Sequence, residues 1–229
     1  ALTLRQREAI LDAFVRNGKP LWLRLAYEEA RAWPSWYGEN DPEALKLPDT
    51  IEGMVHDLIN RRLLQIEKHP VELTKRALAY ISAARFGLSD QELGRALATD
   101  ENVRQEFLSQ TEQSGQSWKV DLGLPPILWS RLYFDLQPYL AHVYSDGALL
   151  LRWFHREFKE QIEAMLLCNE EQRQKIHGHL AGTFSSLAVS GKRKLFLYTE
   201  TGPGHQIAAL RRVIEEPWQL AKAGMMAEL

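Results

Sequence analysis

Apolar residues recur every three to four positions along most of the chain, which predicts helices that each bury one face. Thr3 with Gln6 makes a capping-box start, and Ala9, Ile10, Ala13 and Phe14 follow at helical spacing. Asn17-Gly18 ends this helix, because glycine takes the left-handed conformation at little cost. Pro20 suits the first turn of the next helix, where its missing N–H is no loss, and Leu21, Leu25 and Ala26 carry it to about Trp33. Pro34 to Pro48 is rich in turn residues and predicts a loop. Asp49 with Glu52 starts a long helix with the stripe Ile51, Met54, Val55, Leu58, Ile59, Leu63 and Ile66. Pro70 opens another, with Leu73, Ala77, Leu78, Ile81 and Ala84 inward and Gly87 at its end. Ser89 and Glu92 form a second capping box before Leu93 and Leu97. A short helix is expected around Val103 to Leu108, and the polar run Thr111 to Ser117 reads as a loop.

The pattern then changes. Pro125-Pro126 leads into a helix with Trp129, Leu132, Tyr133 and Leu136, which Pro138 stops. Two short apolar runs follow, Tyr139 to Tyr144 and Ala148 to Phe154, joined by Ser145-Asp146-Gly147, and Asp-Gly between such runs signals a hairpin. A helix from near His155 shows Phe158, Ile162 and Met165, and another shows Ile176, Leu180, Phe184 and Leu187. Gly191 to Gly204 reads as a loop with the basic run Lys192-Arg193-Lys194. Two last helices are expected, near Ile207 to Ile214 and after Pro217. Helices within Val71 to Leu136 followed by a hairpin have the order of a winged helix, with helical pieces before and after it.

Composition narrows the class. With 229 residues, 45% of them apolar and 25% charged, the chain suits one large or two small globular domains. A net charge of −2 gives no bulk attraction to nucleic acid or anionic membrane. The single cysteine, Cys168, excludes an internal disulfide and suggests a reducing, cytoplasmic compartment. No apolar run approaches the roughly 20 residues that span a bilayer. The amphipathic start ALTLRQREAI is unlike a signal peptide and has no initiator Met, and the chain ends inside an apparent helix, so both ends read as cuts in a longer protein.

Catalytic signatures are missing. No G-x-x-x-x-G-K-[ST] occurs; Gly191-Lys192 has neither the upstream glycine nor the following Ser/Thr. G-x-S-x-G, H-E-x-x-H and C-x-x-C are also absent, so no catalytic residue is assigned. His177 and His179 with Cys168 could suggest zinc, but residues two apart on a helix diverge, and a solvated helix surface accounts for them better. Asn17-Gly18-Lys19-Pro20 is by local physics a helix-to-helix turn; its functional reading is a rigid proline ring offered to an adenine base. His155, in Trp153-Phe154-His155-Arg156, is by the same standard a core or capping histidine; its functional reading is a hydrogen bond to a phosphate beside a helix N-terminus.

Segments spread over nearly the whole chain carry a family resemblance. They are Gly18-Lys19-Pro20-Leu21-Trp22-Leu23-Arg24-Leu25-Ala26, Leu47-Pro48-Asp49-Thr50-Ile51 and Arg85-Phe86-Gly87-Leu88-Ser89-Asp90-Gln91-Glu92-Leu93. With them go Leu124-Pro125-Pro126-Ile127-Leu128-Trp129-Ser130-Arg131-Leu132, Phe154-His155-Arg156-Glu157-Phe158-Lys159-Glu160 and Glu216-Pro217-Trp218-Gln219-Leu220-Ala221-Lys222-Ala223-Gly224. Their order and spacing resemble the STAND class of NTPases, in particular NACHT-type proteins with WD or other repeats after the NTPase module. The resemblance implies a mainly α chain: a small helical domain over 1–68 following the NTPase core, a winged-helix domain with one hairpin wing over 69–160, and a helical extension over 161–229 leading into C-terminal repeats.

The resemblance also implies a nucleotide switch. Gly18 and Pro20 match the family's G-x-P motif, with Pro20 against adenine, and His155 matches the winged-helix histidine that hydrogen-bonds the β-phosphate of ADP. Pro20 and His155 fall in different domains on this division, so one nucleotide would hold both. The Walker lysine and acids that bind ATP or ADP with Mg are absent, and the fragment alone is expected to bind none. The implied partners are the protein's own NTPase core and its repeat or sensor region, with homo-oligomerisation on activation; many prokaryotic relatives act in defence against phage. A winged-helix DNA-binding regulator and a helical protein-binding scaffold are the alternatives. For DNA, the helix Ile127 to Leu136 offers Arg131, then Gln137, with Asp135 opposing phosphate. For a scaffold, Trp22, Trp33, Trp36, Trp118, Trp129, Trp153 and Trp218 are the candidate anchors, and aromatics at helical spacing are more often core.

Overall fold

The computed structural model describes residues 2–114, 125–145, 148–186, 196–197, 207–208 and 210–228. The chain is mostly helical, with a small antiparallel hairpin. It divides into two compact units, residues 1–69 with 155–161, and residues 70–154 with 162–229.

The first unit starts with α1 (Leu4–Asn17), opened by the Thr3–Gln6 capping box and closed by Gly18 at φ 71°. Helix α2 (Pro20–Ala30) buries Leu21, Trp22, Leu25, Ala26 and Ala30. The loop after it is anchored by side chains of α1 and α2. Buried Gln6 donates to the Pro34 and Tyr37 carbonyls at 2.9 and 3.2 Å, and Trp22 Nε1 donates to the Pro48 carbonyl at 2.7 Å. Helix α3 (Ile51–Asp57) is capped by Thr50, whose hydroxyl accepts the Gly53 N–H at 3.0 Å, and not by Asp49 as its sequence suggests. Asp49 instead meets Arg16, at 3.6 Å. Leu58–Ile66 continues α3 in wider i→i+5 turns. Each residue there advances by less than the usual 100°, so the apolar stripe slips: Ile59 and Leu63 stay buried, while Ile66, expected inward, is exposed.

The second unit places four helices before an antiparallel hairpin. Helix α4 (Val71–Ala83) begins after Pro70, which offers no side-chain cap. Its open N–H groups are satisfied from a distance by Glu106, which accepts from Val71, Glu72 and Leu73 at 2.7, 3.0 and 3.1 Å. Glu106→Ala is expected to destabilise this unit by about 1–2 kcal/mol in urea unfolding, because a carboxylate at a helix N-terminus both caps and opposes the dipole. An unchanged midpoint would count against that cap.

Helix α4 stops at Ala83, four residues short of Gly87. Gly87 serves a different purpose. With φ at 106° it lies so close to Leu151 that a Cβ would collide with that residue's carbonyl oxygen. The approach lets Leu88 bridge Leu151 through paired backbone hydrogen bonds of 3.1 and 2.7 Å. Helix α5 (Asp90–Thr99) carries the expected Ser89–Glu92 capping box. Helix α6 (Glu101–Ser114) runs past Leu108 through the start of the expected Thr111–Ser117 loop, since no Gly or Pro breaks it before Gly115. The rest of that loop, with Trp118, lies outside the described residues.

Helix α7 (Pro126–Leu136) ends in a 3₁₀ turn at Gln137–Tyr139. The hairpin pairs β1 (Leu140–Ser145) with β2 (Ala148–Trp153), and its Asp146-Gly147 corner lies outside the described residues. Trp153 is buried and donates from Nε1 to Ser82 Oγ at 2.8 Å, which fixes the hairpin on α4. Helix α8 (Arg156–Leu166) buries Phe158 and Ile162; α9 (Glu170–Ser186) buries Ile176, Leu180 and Phe184. Leu187 and the Lys192-Arg193-Lys194 run lie outside the described residues.

The C-terminal expectation needs correction. Ile207–Ala208 is not helical: it is a short strand, β4, paired with β3 (Phe196–Leu197) inside the expected loop. One helix, α10 (Leu210–Lys222), replaces the two expected, and Pro217 lies within it. Tertiary hydrogen bonds from Arg211, Glu215 and Gln219 hold the helix on both sides of the proline, which overrides the local break.

Candidate functional site

Gly18 takes its left-handed conformation because the chain must leave α1 and enter α2 within two residues; its N–H bonds the Phe14 carbonyl at 2.7 Å. Asn17 steadies the turn, accepting the Lys19 N–H at 3.1 Å and donating to the Asp49 carbonyl at 2.5 Å. This tether was legible only as a helix-ending residue in the sequence. Pro20 is the first residue of α2, and Gly18, Lys19 and Pro20 are all exposed. The proline ring is thus presented on the surface at a fixed backbone angle.

His155 is exposed and stands just before α8. Its Nδ1 accepts the Glu157 backbone N–H at 3.1 Å, so the side chain caps the helix. An Nδ1 engaged as acceptor carries no hydrogen, which leaves the proton of the neutral ring on Nε2. Two residues on, Glu157 accepts a hydrogen bond from Lys19 Nζ at 3.0 Å. The ion pair links segments 138 positions apart, and His155 to Gln161 cluster in the same compact unit as the Gly18–Pro20 turn. Lys19 is 59% and Glu157 34% exposed, so the pair contributes at most about 1 kcal/mol; it marks proximity rather than holding the unit together. Beside it Arg156 binds Glu160 at 2.7 Å, and that hydrogen bond raises the guanidinium pKa above its ordinary value.

The histidines of α9 are not a solvated surface. His177 is buried with Nδ1 2.5 Å from Gln219 Oε1, and burial holds its pKa below the ordinary value. His179 Nε2 meets the Ala96 carbonyl at 2.8 Å and Thr99 Oγ1 at 3.2 Å, and its ring stacks on Tyr80 with centroids 5.4 Å apart. Residues two apart do diverge here, but both faces of α9 are packed. Cys168 is an exposed free thiol, and among the described residues no three His, Cys, Asp or Glu side chains are grouped to hold a metal.

Helix α7 exposes Ile127 and Phe134, at 72% and 74%, together with Ser130 and Arg131. Trp22 and Trp153 are core residues, Trp36 is exposed, and Trp129 Nε1 donates to Asp90 at 3.3 Å. Sequence reasoning missed the polar face of α10, where Arg211, Glu215 and Gln219 are all buried. Their i, i+4, i+8 spacing was visible, but a search for apolar stripes passes over it.

Over most of its length the chain is similar to one region of NACHT and WD repeat-containing proteins. It is 35% identical over 228 residues to the human NACHT domain- and WD repeat-containing protein 1, and 34% identical over 240 residues to the mouse protein of that name. Mouse NACHT and WD repeat domain-containing protein 2 is 29% identical over 196 residues. These alignments cover 93%, 98% and 85% of the chain, but only 14%, 14% and 11% of the respective relatives. No protein-family model and no solved structure matches the chain. Among the described residues no helix is long and apolar enough to cross a membrane.

Proposed function

We propose that the chain is the regulatory helical and winged-helix part of a cytoplasmic NACHT-type nucleotide switch. In this reading an NTPase core elsewhere in the protein holds ADP or ATP with Mg. Pro20 lies against the adenine, Gly18 shapes the turn that presents it, and His155 donates from Nε2 to the β-phosphate. ADP favours a closed state, and ATP permits opening and homo-oligomerisation, with a repeat region as the neighbouring partner. The observation that carries the reading is the 3.0 Å Lys19–Glu157 pair, which sets the exposed Gly18–Pro20 turn beside the helix that His155 caps.

Energetics limit what His155 can do. Inverting a 1:99 population takes about 5.5 kcal/mol of differential binding, whereas one charge-assisted hydrogen bond supplies roughly 1.5–3 kcal/mol. His155 therefore biases the switch without setting it. In the full-length protein, His155→Ala is expected to reduce retained ADP roughly tenfold or more and to raise basal signalling. His155→Asn separates capping from ligand contact: asparagine can still accept the Glu157 N–H, so this variant should fold as the native protein does and yet lose ADP. Native ADP occupancy in purified His155→Asn protein would defeat the proposal.

A protein-interaction role for the winged helix is the second reading. The exposed Ile127 and Phe134 on α7 favour it, because they place apolar surface where a DNA-reading helix needs donors and acceptors.

A further inference from the structure

Helix α10 packs against α9 within the second unit, with Arg211 over the Phe184 ring, and most of its buried side chains are charges and amides. Among its described side chains Leu220 is the one buried apolar residue, while Arg211, Glu215 and Gln219 are buried one turn apart. Arg211 donates to both carboxylate oxygens of Glu92, at 2.9 and 3.0 Å, and to the Gly87 carbonyl at 2.8 Å. Glu215 accepts the backbone N–H groups of Arg85 and Phe86, both at 3.2 Å. Gln219 donates to the Ala83 carbonyl at 3.2 Å and to Glu215 at 3.1 Å, and its Oε1 meets His177. Pro217 removes one backbone donor from the middle of the helix.

The groups that α10 grips are not passive. Residues 83–87 form the turn that leads to the Leu88–Leu151 bridge, and Glu92 also accepts the Ser89 N–H at 2.8 Å in the capping box of α5. A helix held this way is placed with high specificity but costs little to release. Water replaces each hydrogen bond at small net loss, and the two carboxylates and the guanidinium regain hydration. An apolar stripe would lose its burial outright.

We propose that α10 is a releasable clasp. It docks and undocks as one piece, and its release frees the 83–87 turn and the start of α5 while α4 and α9 stay folded. Force or binding applied to α10 would reach the hairpin through that turn. The inference does not rest on the nucleotide reading.

Hydrogen exchange on the 229-residue chain, followed by mass spectrometry, tests it. Amides of α10 should exchange together, at least about tenfold faster than those of α4, because sub-global opening precedes unfolding. Glu215→Gln, which keeps an acceptor but removes the charge, should speed α10 a further threefold to tenfold or so and leave α4 unchanged. The proposal is overturned if native α10 exchanges at the rate of α4, if the variant accelerates both equally, or if it leaves α10 unaffected. Should Glu215→Gln fail to fold, the native comparison decides alone.

Discussion

Trp22→Ala is expected to destabilise the first unit by about 3–5 kcal/mol, the range for removing a buried aromatic ring. Trp22 has no exposed surface, and its Nε1 holds the Pro48 carbonyl at 2.7 Å. The substitution leaves a cavity in α2 and also orphans that carbonyl at the end of the long loop. Against a typical domain stability of roughly 5–15 kcal/mol, the loss takes much of the margin. Trp22→Phe keeps most of the packing and forfeits the hydrogen bond, so it should cost about 1–2 kcal/mol. Urea unfolding followed by far-ultraviolet circular dichroism would show both shifts. A loss below about 1 kcal/mol for the alanine variant would mean that the site collapses around the missing ring.

The second large effect is expected at Asp100, which joins three elements of the other unit. One carboxylate oxygen accepts the Asn102 and Val103 N–H groups at 2.9 and 3.2 Å and so caps α6. The other accepts the hydroxyl of fully buried Tyr80 and stands 3.5 Å from Arg76. Asp100→Ala removes the cap, worth about 1 kcal/mol, and leaves a buried hydroxyl unsatisfied, which costs about 1–3 kcal/mol more. The sum, about 2–4 kcal/mol, should appear as an earlier transition of this unit. Tyr80→Phe should soften the Asp100→Ala penalty, since no hydroxyl is then stranded, and additive single effects would contradict the coupling.

Alkaline pH gives an independent view of the same pair. Burial, then the Asp100 charge, raises the Tyr80 pKa well above that of an unfolded tyrosine. Below pH ~10 the phenol is neutral in both states and the native stability is complete. Above it only the unfolded chain ionises, so stability falls by up to about 1.4 kcal/mol per pH unit for this group. Tyr80→Phe should flatten that decline; an unaltered slope between pH 9 and 11 would show that other groups cause it.

The same principle explains why the second unit uses polar side chains so freely inside. Glu106 on α4 and Glu215 on the 85–86 backbone satisfy N–H groups that the local chain leaves open, whereas Asp100 caps α6 from its own N-terminus. Pro70 cannot cap α4, and the turn after Ala83 has no ladder of its own. Buried backbone donors need partners, and in this protein distant carboxylates supply them.

By itself the sequence determined the helices whose signals are local. Thr3–Gln6 and Ser89–Glu92 close capping boxes over three residues, Gly18 needs only its own backbone freedom, and two short apolar runs either side of Asp-Gly predict the strands that pair as β1 and β2. The Gly18, Pro20 and His155 candidates were likewise readable from short segments, although their meeting with a ligand remains a proposal. Tertiary structure decided what depends on partners far along the chain. It kept α10 continuous through Pro217, buried His177 against Gln219, turned Gly87 from a helix end into a point of close approach, and set Lys19 beside Glu157. The physical reason is one of range: caps and turns are satisfied within a few residues, whereas the worth of a buried charge or a strained turn is fixed by whichever distant group completes it.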